Sequence, residues 1–334
     1  MKKRNVAIGI AGGAAAVIAV KMLTRPATVH WEDAAESLPH SDKSKFVSVD
    51  GIRLHYQEFG HASPLADVIL IHGYTASVYV WKTVAPMLAD AGLRVFAIDL
   101  PGFGYSDKPK DFDYSIASQA RIVERFMDRL SIGRPVVVGS SYGGAVAATL
   151  ALDYPERVAK LVLVDPVSND DPKRHPVLRL ASVPGVGEVI TPFLADARTF
   201  HRHRMKKTIA RPNHSLITKE RIEAVRRPLA AADAHNSLLA TSRNWDAGRI
   251  ERDASLISQP ALIIWGEDDR VIPLENGYKL LDSILHSRLV VLKDCGHLPM
   301  EEKPELFTDL VVEFCRDSKG RIGPKSSPQM RLIS

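Results

Sequence analysis

The sequence predicts an α/β protein with a mostly parallel sheet flanked by helices, an inserted helical cap and an N-terminal membrane helix. Short apolar runs that suit buried strands alternate with stretches of helical length and pattern. Between residues 166 and 257 this alternation gives way to helical segments broken by prolines, and it resumes afterwards. A basic cluster followed by a long uncharged run opens the chain.

The composition fits a large folded unit. The chain has 334 residues, of which 45% are hydrophobic, which is enough to bury a large core. The net charge of +5 is mildly basic, and no Lys and Arg array interleaved with aromatic residues accompanies it, so no nucleic-acid partner is expected. Two cysteines, Cys295 and Cys315, are too few to indicate a disulfide framework or a cysteine metal site.

Residues 1–25 are predicted to form a membrane anchor. Lys2, Lys3 and Arg4 precede an uncharged run that continues to Lys21. A spanning helix needs roughly 17 to 25 apolar residues, and the run reaches the low end of that range if Lys21 extends to the interface. We therefore expect a single-pass N-terminal anchor in contact with membrane lipids. The alternative is a signal peptide whose cleavage leaves a secreted or periplasmic protein.

Small residues in this segment are compatible with a homodimer. Gly9 and Gly13 are four residues apart, and Gly12 and Ala16 repeat that spacing on an adjacent stripe. This spacing allows two helices to approach closely in a bilayer, although small residues are also common in membrane helices that do not associate. The sequence thus permits a homodimer through the N-terminal helix without requiring one.

The remaining chain divides into four parts after a polar, proline-containing juxtamembrane linker at residues 26–45. The first part of the core covers residues 46–165, the helical cap 166–257, the second part of the core 258–316, and a mobile C-terminal tail 317–334. The core begins with a hairpin, strands 46–49 and 53–59 joined by Asp50-Gly51. The further predicted strands are 67–71, 94–98, 135–138, 158–164, 261–265 and 288–292, with predicted helices at 81–90, 115–130, 142–154, 275–281 and 304–315.

A candidate nucleophile lies between a predicted strand and a predicted helix. Residues 139–144 read Gly-Ser-Ser-Tyr-Gly-Gly, and the two flanking glycines assign the central position to Ser141 rather than Ser140. A tight strand-to-helix turn of this kind presents the serine Oγ above the sheet at the positive end of a helix. Ser141 is therefore the predicted nucleophile.

A histidine and a carboxylate that could activate this serine follow later strands. His297, in Asp-Cys-Gly-His, comes directly after the last predicted strand of the core, where the general base is expected. The turn after the preceding strand offers Glu267, Asp268 and Asp269. Asp269 lies farthest from the end of that strand and can reach the histidine, so it is the predicted orienting acid.

Two backbone N–H groups are predicted to form an oxyanion hole. One belongs to Tyr142, directly after the nucleophile, and the other to Tyr74, after the strand that ends at residue 71. His72 in the same loop is expected to pack rather than to react. A mechanism of this kind needs no metal, nucleotide or redox cofactor, and no motif for one occurs.

Five motifs together make residues 46–315 resemble the α/β-hydrolase superfamily. They are HGY, DLPGFGYS from Asp99, GSSYGG, WGEDDRVIP and DCGH. The resemblance implies the α/β-hydrolase fold and a serine hydrolase. The order of anchor, core and cap is similar to that of membrane-anchored monoacylglycerol lipases and related bacterial lipases and phospholipases. Epoxide hydrolases and haloalkane dehalogenases share the scaffold but use an aspartate where this chain has Ser141.

The expected activity is carboxylic ester hydrolysis through an acyl-enzyme, on acylglycerols or (lyso)phospholipids at a membrane. The alternatives are hydrolysis of a C–C bond, as in meta-cleavage hydrolases, or of a lactone or thioester. The C–C hydrolases typically have Trp after the histidine, where this chain has Leu298. A non-enzymatic ligand-binding protein is disfavoured because all three triad members are present. Basic residues at 201–207 and Arg211 fit either an anionic head group or a solvated helix face.

Overall fold

The computed structural model describes residues 26–61, 64–169, 183–317 and 330–333, and a nine-stranded sheet lies at its centre. The strand order is β1-β2-β4-β3-β5-β6-β7-β8-β9; β2 runs antiparallel to β1 and β4, and all other neighbours are parallel. The strands are β1 Ser44–Val49, β2 Ile52–Phe59, β3 Asp67–Ile71, β4 Arg94–Ile98, β5 Val136–Ser140, β6 Lys160–Val164, β7 Ala261–Gly266, β8 Ser287–Leu292 and β9 Met330–Ile333.

The α-helices of the described residues fall into a core set and a cap set. Those of the core are α1 Val84–Asp90, α2 Ile116–Arg129, α3 Tyr142–Asp153, α9 Glu275–Ser283, α10 Pro299–Glu302 and α11 Pro304–Arg316. Those of the cap are α4 Val186–Asp196, α5 Arg198–Thr208, α6 Lys219–Arg226, α7 Ala232–Arg243 and α8 Gly248–Asp253.

The central strands are buried on both faces, as their continuous apolar runs predict. Alternate residues of β3 belong to different cores: Ile69 lies in the same core as Phe126 of α2 on one face, and Val68 lies in the same core as Phe307 of α11 on the other. Helices therefore cover both faces of the parallel sheet. This arrangement brings the carboxyl ends of β3, β5, β6, β7 and β8 to one edge, where the loops that carry the predicted site residues begin.

The predicted N-terminal membrane helix and the homodimer contact at residues 1–25 lie outside the described residues. Within the part of the chain that the structure describes, no helix is long and apolar enough to cross a membrane.

The prediction of a mobile tail is wrong for the last described residues. Met330–Ile333 form β9, which pairs in parallel with residues 289–292 of β8, and Lys293 N–H donates to the Ile333 carbonyl at 2.9 Å. The open edge of β8 supplies the backbone partners that this segment needs. Four residues are too few to show a strand pattern in the sequence, which explains why sequence analysis missed the strand.

A buried ion pair joins the cap to the core. Arg221 of α6 donates two hydrogen bonds to Glu301 of α10, from Nε to Oε2 at 2.9 Å and from Nη2 to Oε1 at 2.6 Å. Both side chains are buried, and Lys82 Nζ lies 3.2 Å from the same carboxylate. A buried charge that loses its partner stays desolvated. Removal of either partner is therefore expected to lower the free energy of unfolding.

We expect Arg221→Met to lower the free energy of unfolding by about 3 kcal/mol, since it leaves Glu301 buried with only the lysine contact. Urea unfolding monitored by circular dichroism measures the change. Arg198→Met is the control, because Arg198 pairs with Glu223 at the exposed surface of the cap and its loss should change little. Equal effects of the two variants would contradict the assignment.

Candidate active site

Ser141 occupies a strained backbone position between β5 and α3. Its φ of 55° and ψ of −117° lie outside the regions that non-glycine residues favour. Hydrogen bonds fix this conformation: the Ser141 N–H donates to the Val164 carbonyl at 2.9 Å, and the Ser141 carbonyl accepts from Val167 N–H at 3.0 Å. The end of β6 thus holds the serine in a conformation that its own backbone disfavours.

The flanking glycines are required by close backbone contacts. A Cβ at Gly139 would lie 2.2 Å from the Gly143 carbonyl oxygen, and a Cβ at Gly143 would lie 2.3 Å from the Ile71 carbonyl oxygen. A side chain at either position would therefore force the turn apart. The turn packs directly against the end of β3, which brings Ser141 beside the loop that contains Tyr74.

His297 and Asp269 are hydrogen bonded, as predicted from their positions in the sequence. His297 Nδ1 lies 2.7 Å from Asp269 Oδ2. The other oxygen of Asp269, Oδ1, accepts from Val271 N–H at 2.7 Å and Ile272 N–H at 3.1 Å. These contacts fix the carboxylate and leave the Nε2 side of the imidazole for a reacting group. The structure brings Asp269, and not Asp268, to the histidine.

The histidine loop is anchored from both the core and the cap. The buried Glu302 carboxylate accepts from Gly296 N–H at 3.1 Å and from Ala210 N–H at 2.9 Å. The His297 N–H donates to the Thr208 carbonyl, at the end of α5, at 2.7 Å. Burial raises the pKa of Glu302. The position of the imidazole therefore depends on the docked cap as well as on the sheet.

Asp165 is a site residue that sequence analysis missed. It directly follows β6 with a φ of 41°, and its Oδ1 accepts from Gly266 N–H at 2.9 Å. Ligand atoms of Asp165, Asp269 and His297 all lie within 4.8 Å of one another. Burial, and then the charge of Asp269, raise the pKa of Asp165 well above its usual range. The available signal was an aspartate at the carboxyl end of a buried strand.

These three residues are also the side chains of the described residues that could hold a metal ion. Their contacts fit a hydrogen-bonded site better. A metal held between these side chains would need an ionised Asp165 and the histidine nitrogen that faces the carboxylates, whereas burial favours the neutral carboxyl and that nitrogen, His297 Nδ1, already bonds Asp269. We assign no cofactor to the cluster, and the expectation of a cofactor-free mechanism stays a prediction.

We expect the stability gain of Asp165→Asn over the wild type to grow as the pH rises. The folded carboxyl keeps a proton that the unfolded chain loses near pH 4, so wild-type stability falls above that pH by at most about 1.4 kcal/mol per unit. Asn cannot ionise and keeps an acceptor for Gly266 N–H. Urea unfolding at pH 5, 7 and 9 measures the difference, and a difference that is constant with pH would contradict a raised pKa.

The two predicted oxyanion donors flank Ser141. Tyr142 begins α3, and Tyr74 follows Gly73, whose Cβ position would be 3.1 Å from Ser141 Cβ. Neither the Tyr74 N–H nor the Tyr142 N–H donates to another described residue. Thr75, next in the loop, has a φ of 62° and donates from Oγ1 to the Tyr74 carbonyl at 2.6 Å. Both N–H groups are thus free to bind a substrate oxygen.

Two other buried histidines serve packing. His72 Nδ1 lies 2.8 Å from the Gly73 carbonyl, and its Nε2 accepts from Leu100 N–H at 3.2 Å, as expected for a structural residue. His55 and Asp99 form a second His–Asp pair at 2.7 Å, which sequence analysis did not find. That pair is fully buried, and Asp99 also accepts from the Tyr105 N–H of its own loop and from the Val78 N–H of the loop after β3.

A cavity of about 400 Å³ lies between the sheet edge and the cap, and both Ser141 and His297 line it. Its wall is mainly apolar and includes Val167, Leu194, Met205, Val225, Leu238 and Trp245. No aspartate or glutamate of the described ranges lines it, whereas arginines do. The predicted basic patch is divided: His201 is buried, Arg204 lines the cavity, and Arg202 is exposed.

The fold and these residues agree with the comparisons with known proteins. The model of the alpha/beta hydrolase fold family matches residues 68–304, so this chain belongs to that family. It is 30% identical over 273 residues to the uncharacterized hydrolase YugF of Bacillus subtilis, covering 80% of this chain and 96% of the relative.

Two further proteins are similar over most of the chain. A 2-hydroxy-6-oxononadienedioate/2-hydroxy-6-oxononatrienedioate hydrolase of Burkholderia vietnamiensis is 32% identical over 295 residues, which cover 83% of this chain and 96% of the relative. The solved meta-cleavage product hydrolase of Pseudomonas fluorescens is 27% identical with a TM-score of 0.70, covering 82% and 98% of the two chains. The protein is a hydrolase of the α/β-hydrolase fold.

Proposed function

We propose that the protein is a serine hydrolase that cleaves carboxylic esters through an acyl-enzyme on Ser141. The observation that carries the proposal is the common placement of Ser141 and His297 in one apolar cavity, with His297 bonded to Asp269. A serine on a strained strand-to-helix turn, a histidine and a buried carboxylate are the groups that acyl transfer requires.

In the proposed mechanism, Ser141 Oγ attacks the ester carbonyl while His297 Nε2 takes its proton. Asp269 orients the imidazole and stabilises the imidazolium. The N–H groups of Tyr74 and Tyr142 bind the oxyanion of the tetrahedral intermediate. The protonated histidine then gives its proton to the leaving alcohol, and water activated by the same histidine releases the acid and regenerates Ser141.

The substrate in this proposal carries an apolar acyl chain, because most of the cavity wall is apolar on both its core and cap sides. We propose acylglycerols or lysophospholipids in particular, taken from a membrane to which residues 1–25 would anchor the protein. The uncharged N-terminal run supports this placement.

A C–C bond hydrolase is the second candidate, favoured by one observation. The relatives that match at 28 to 32% identity include hydrolases named for 2-hydroxy-6-oxo acids. Leu298 stands where such enzymes typically have Trp, which favours the ester hydrolase. The same serine and histidine can serve either reaction.

A substrate panel distinguishes the two candidates. Purified protein would be assayed with 4-nitrophenyl esters, monoacylglycerols, lysophospholipids and 2-hydroxy-6-oxo-6-phenylhexa-2,4-dienoate. The proposal predicts the highest kcat/KM for a lipid ester or a 4-nitrophenyl ester of a medium-length acid. Turnover of the dienoate with kcat/KM at least 100-fold above every ester would overturn the proposal in favour of the second candidate.

A further inference from the structure

Arg204 is a cation in the cavity wall that has no anionic partner in the described structure. It lies on α5 of the cap, and its guanidinium donates to Thr75 Oγ1 in the loop that contains Tyr74. No carboxylate of the described residues lies within ion-pairing distance of it. Burial, and then the nearby charge of Arg221, lower the pKa of Arg204 to about 10.

The neighbouring Arg221 is a buried cation with a structural role, and it provides a comparison. Arg221 lines the same cavity, but its Nε and Nη2 both donate to the Glu301 carboxylate. Buried charges are normally paired, because desolvation is otherwise uncompensated. Arg204, which is only half-buried, instead makes one hydrogen bond to a neutral hydroxyl, and a guanidinium has five N–H donors. Its remaining donors suit a planar anion.

We propose that Arg204 binds a carboxylate group at the far end of a substrate's acyl chain, so that esters of dicarboxylic acids are substrates beside the lipid esters. This inference rests on the proposed ester hydrolysis. The cavity supports it in two ways: apolar side chains bind the hydrocarbon part, and no described acidic side chain lines the wall to repel an anion. The contact with Thr75 holds the guanidinium beside the oxyanion loop, within the cavity that Ser141 lines.

The opposing explanation is that Arg204 only fastens the cap to the loop of Thr75. A pair of isosteric esters separates the two. Mono-4-nitrophenyl glutarate carries a carboxylate where 4-nitrophenyl 5-methylhexanoate carries an isopropyl group. The variants are Arg204→Met, which removes the charge, Arg204→Lys, which keeps it without the planar fork, and Arg202→Met as the control. Arg202 is exposed on the same helix and does not line the cavity.

We expect Arg204→Met to lower kcat/KM about 10- to 100-fold for the glutarate ester, the range for one lost charged hydrogen bond, and less than about threefold for the neutral ester. Arg204→Lys should lie between wild type and Arg204→Met, and Arg202→Met should match wild type. Equal losses of kcat/KM on both esters would overturn the proposal and indicate that Arg204 only holds the cap to the loop of Thr75. A wild type that cleaves only the neutral ester would overturn it as well.

Calorimetric titration with hexanoate tests Arg204 without turnover. If the wild type cleaves neither ester, the proposed ester hydrolysis fails, and this titration still decides the role of Arg204. A dissociation constant raised at least about tenfold in Arg204→Met, and unchanged in Arg202→Met, supports a carboxylate site. Equal binding of hexanoate by the wild type and Arg204→Met, or no binding by the wild type, overturns it.

Discussion

Ser141→Ala is expected to lower kcat for ester hydrolysis by about a million-fold, the size of effect seen when a triad serine is removed. The alanine variant has no oxygen to form the acyl-enzyme, so only positioning and the oxyanion donors remain to assist water. Initial rates with a 4-nitrophenyl ester, measured at matched protein concentrations, give the ratio. Circular dichroism of the variant should match the wild type, because Ala fits the space that Ser141 occupies.

Ser140→Ala is the matched control for this experiment. Ser140 is buried at the end of β5, next to the proposed nucleophile, and is the only other serine in the motif. Its replacement should leave kcat within about threefold of wild type. A Ser141→Ala variant that keeps more than one per cent of the activity, or a larger loss in Ser140→Ala, would contradict the assignment of the nucleophile.

Asp269→Asn is expected to lower kcat by about 10,000-fold with the fold intact. The amide keeps an oxygen for the Val271 and Ile272 N–H groups, but its NH₂ then faces His297 Nδ1 and favours the wrong imidazole tautomer. The loss should appear in kcat more than in KM, because Asp269 acts through His297 rather than on the substrate.

Asp268→Asn tests whether this loss is specific to the side chain bonded to the histidine. Asp268 is the preceding residue and was the alternative acid in the sequence. Its carboxylate does not bond His297, so kcat should stay within about threefold of wild type. Comparable losses in the two variants would mean that the charge of the loop, and not the hydrogen bond to the imidazole, supports activity.

The strand positions and the candidate site could be predicted because short stretches of sequence determine them. Strands β3 and β4 begin and end at the predicted residues, since continuous apolar runs bounded by polar turns define buried parallel strands. Ser141 directly follows β5, and Asp269 and His297 lie in the loops after β7 and β8. These three strands belong to the parallel part of one sheet, so their loops were expected at one edge.

The features that were missed depend on contacts between distant parts of the chain. Asp165 lies near Asp269 because strands β6 and β7 are neighbours in the sheet. The spacing of the two residues along the sequence does not reveal this. The contrast between the paired Arg221 and Arg204 depends on how α6 docks on α10 and how α5 docks on the loop that contains Thr75. Strand β9 forms because it pairs with the free edge of β8. A four-residue segment does not indicate such pairing by its own sequence.

Mass spectrometry of the acylated protein tests the proposed covalent mechanism most directly. The wild-type protein would be mixed with excess 4-nitrophenyl ester, quenched with acid during turnover, digested and mapped. We predict an acyl adduct on Ser141, absent from Ser141→Ala and present in Ser140→Ala. Hydrolysis of the ester at the wild-type rate with no adduct on Ser141, or with the acyl group on another residue, would contradict the nucleophile assignment and the acyl-enzyme with it.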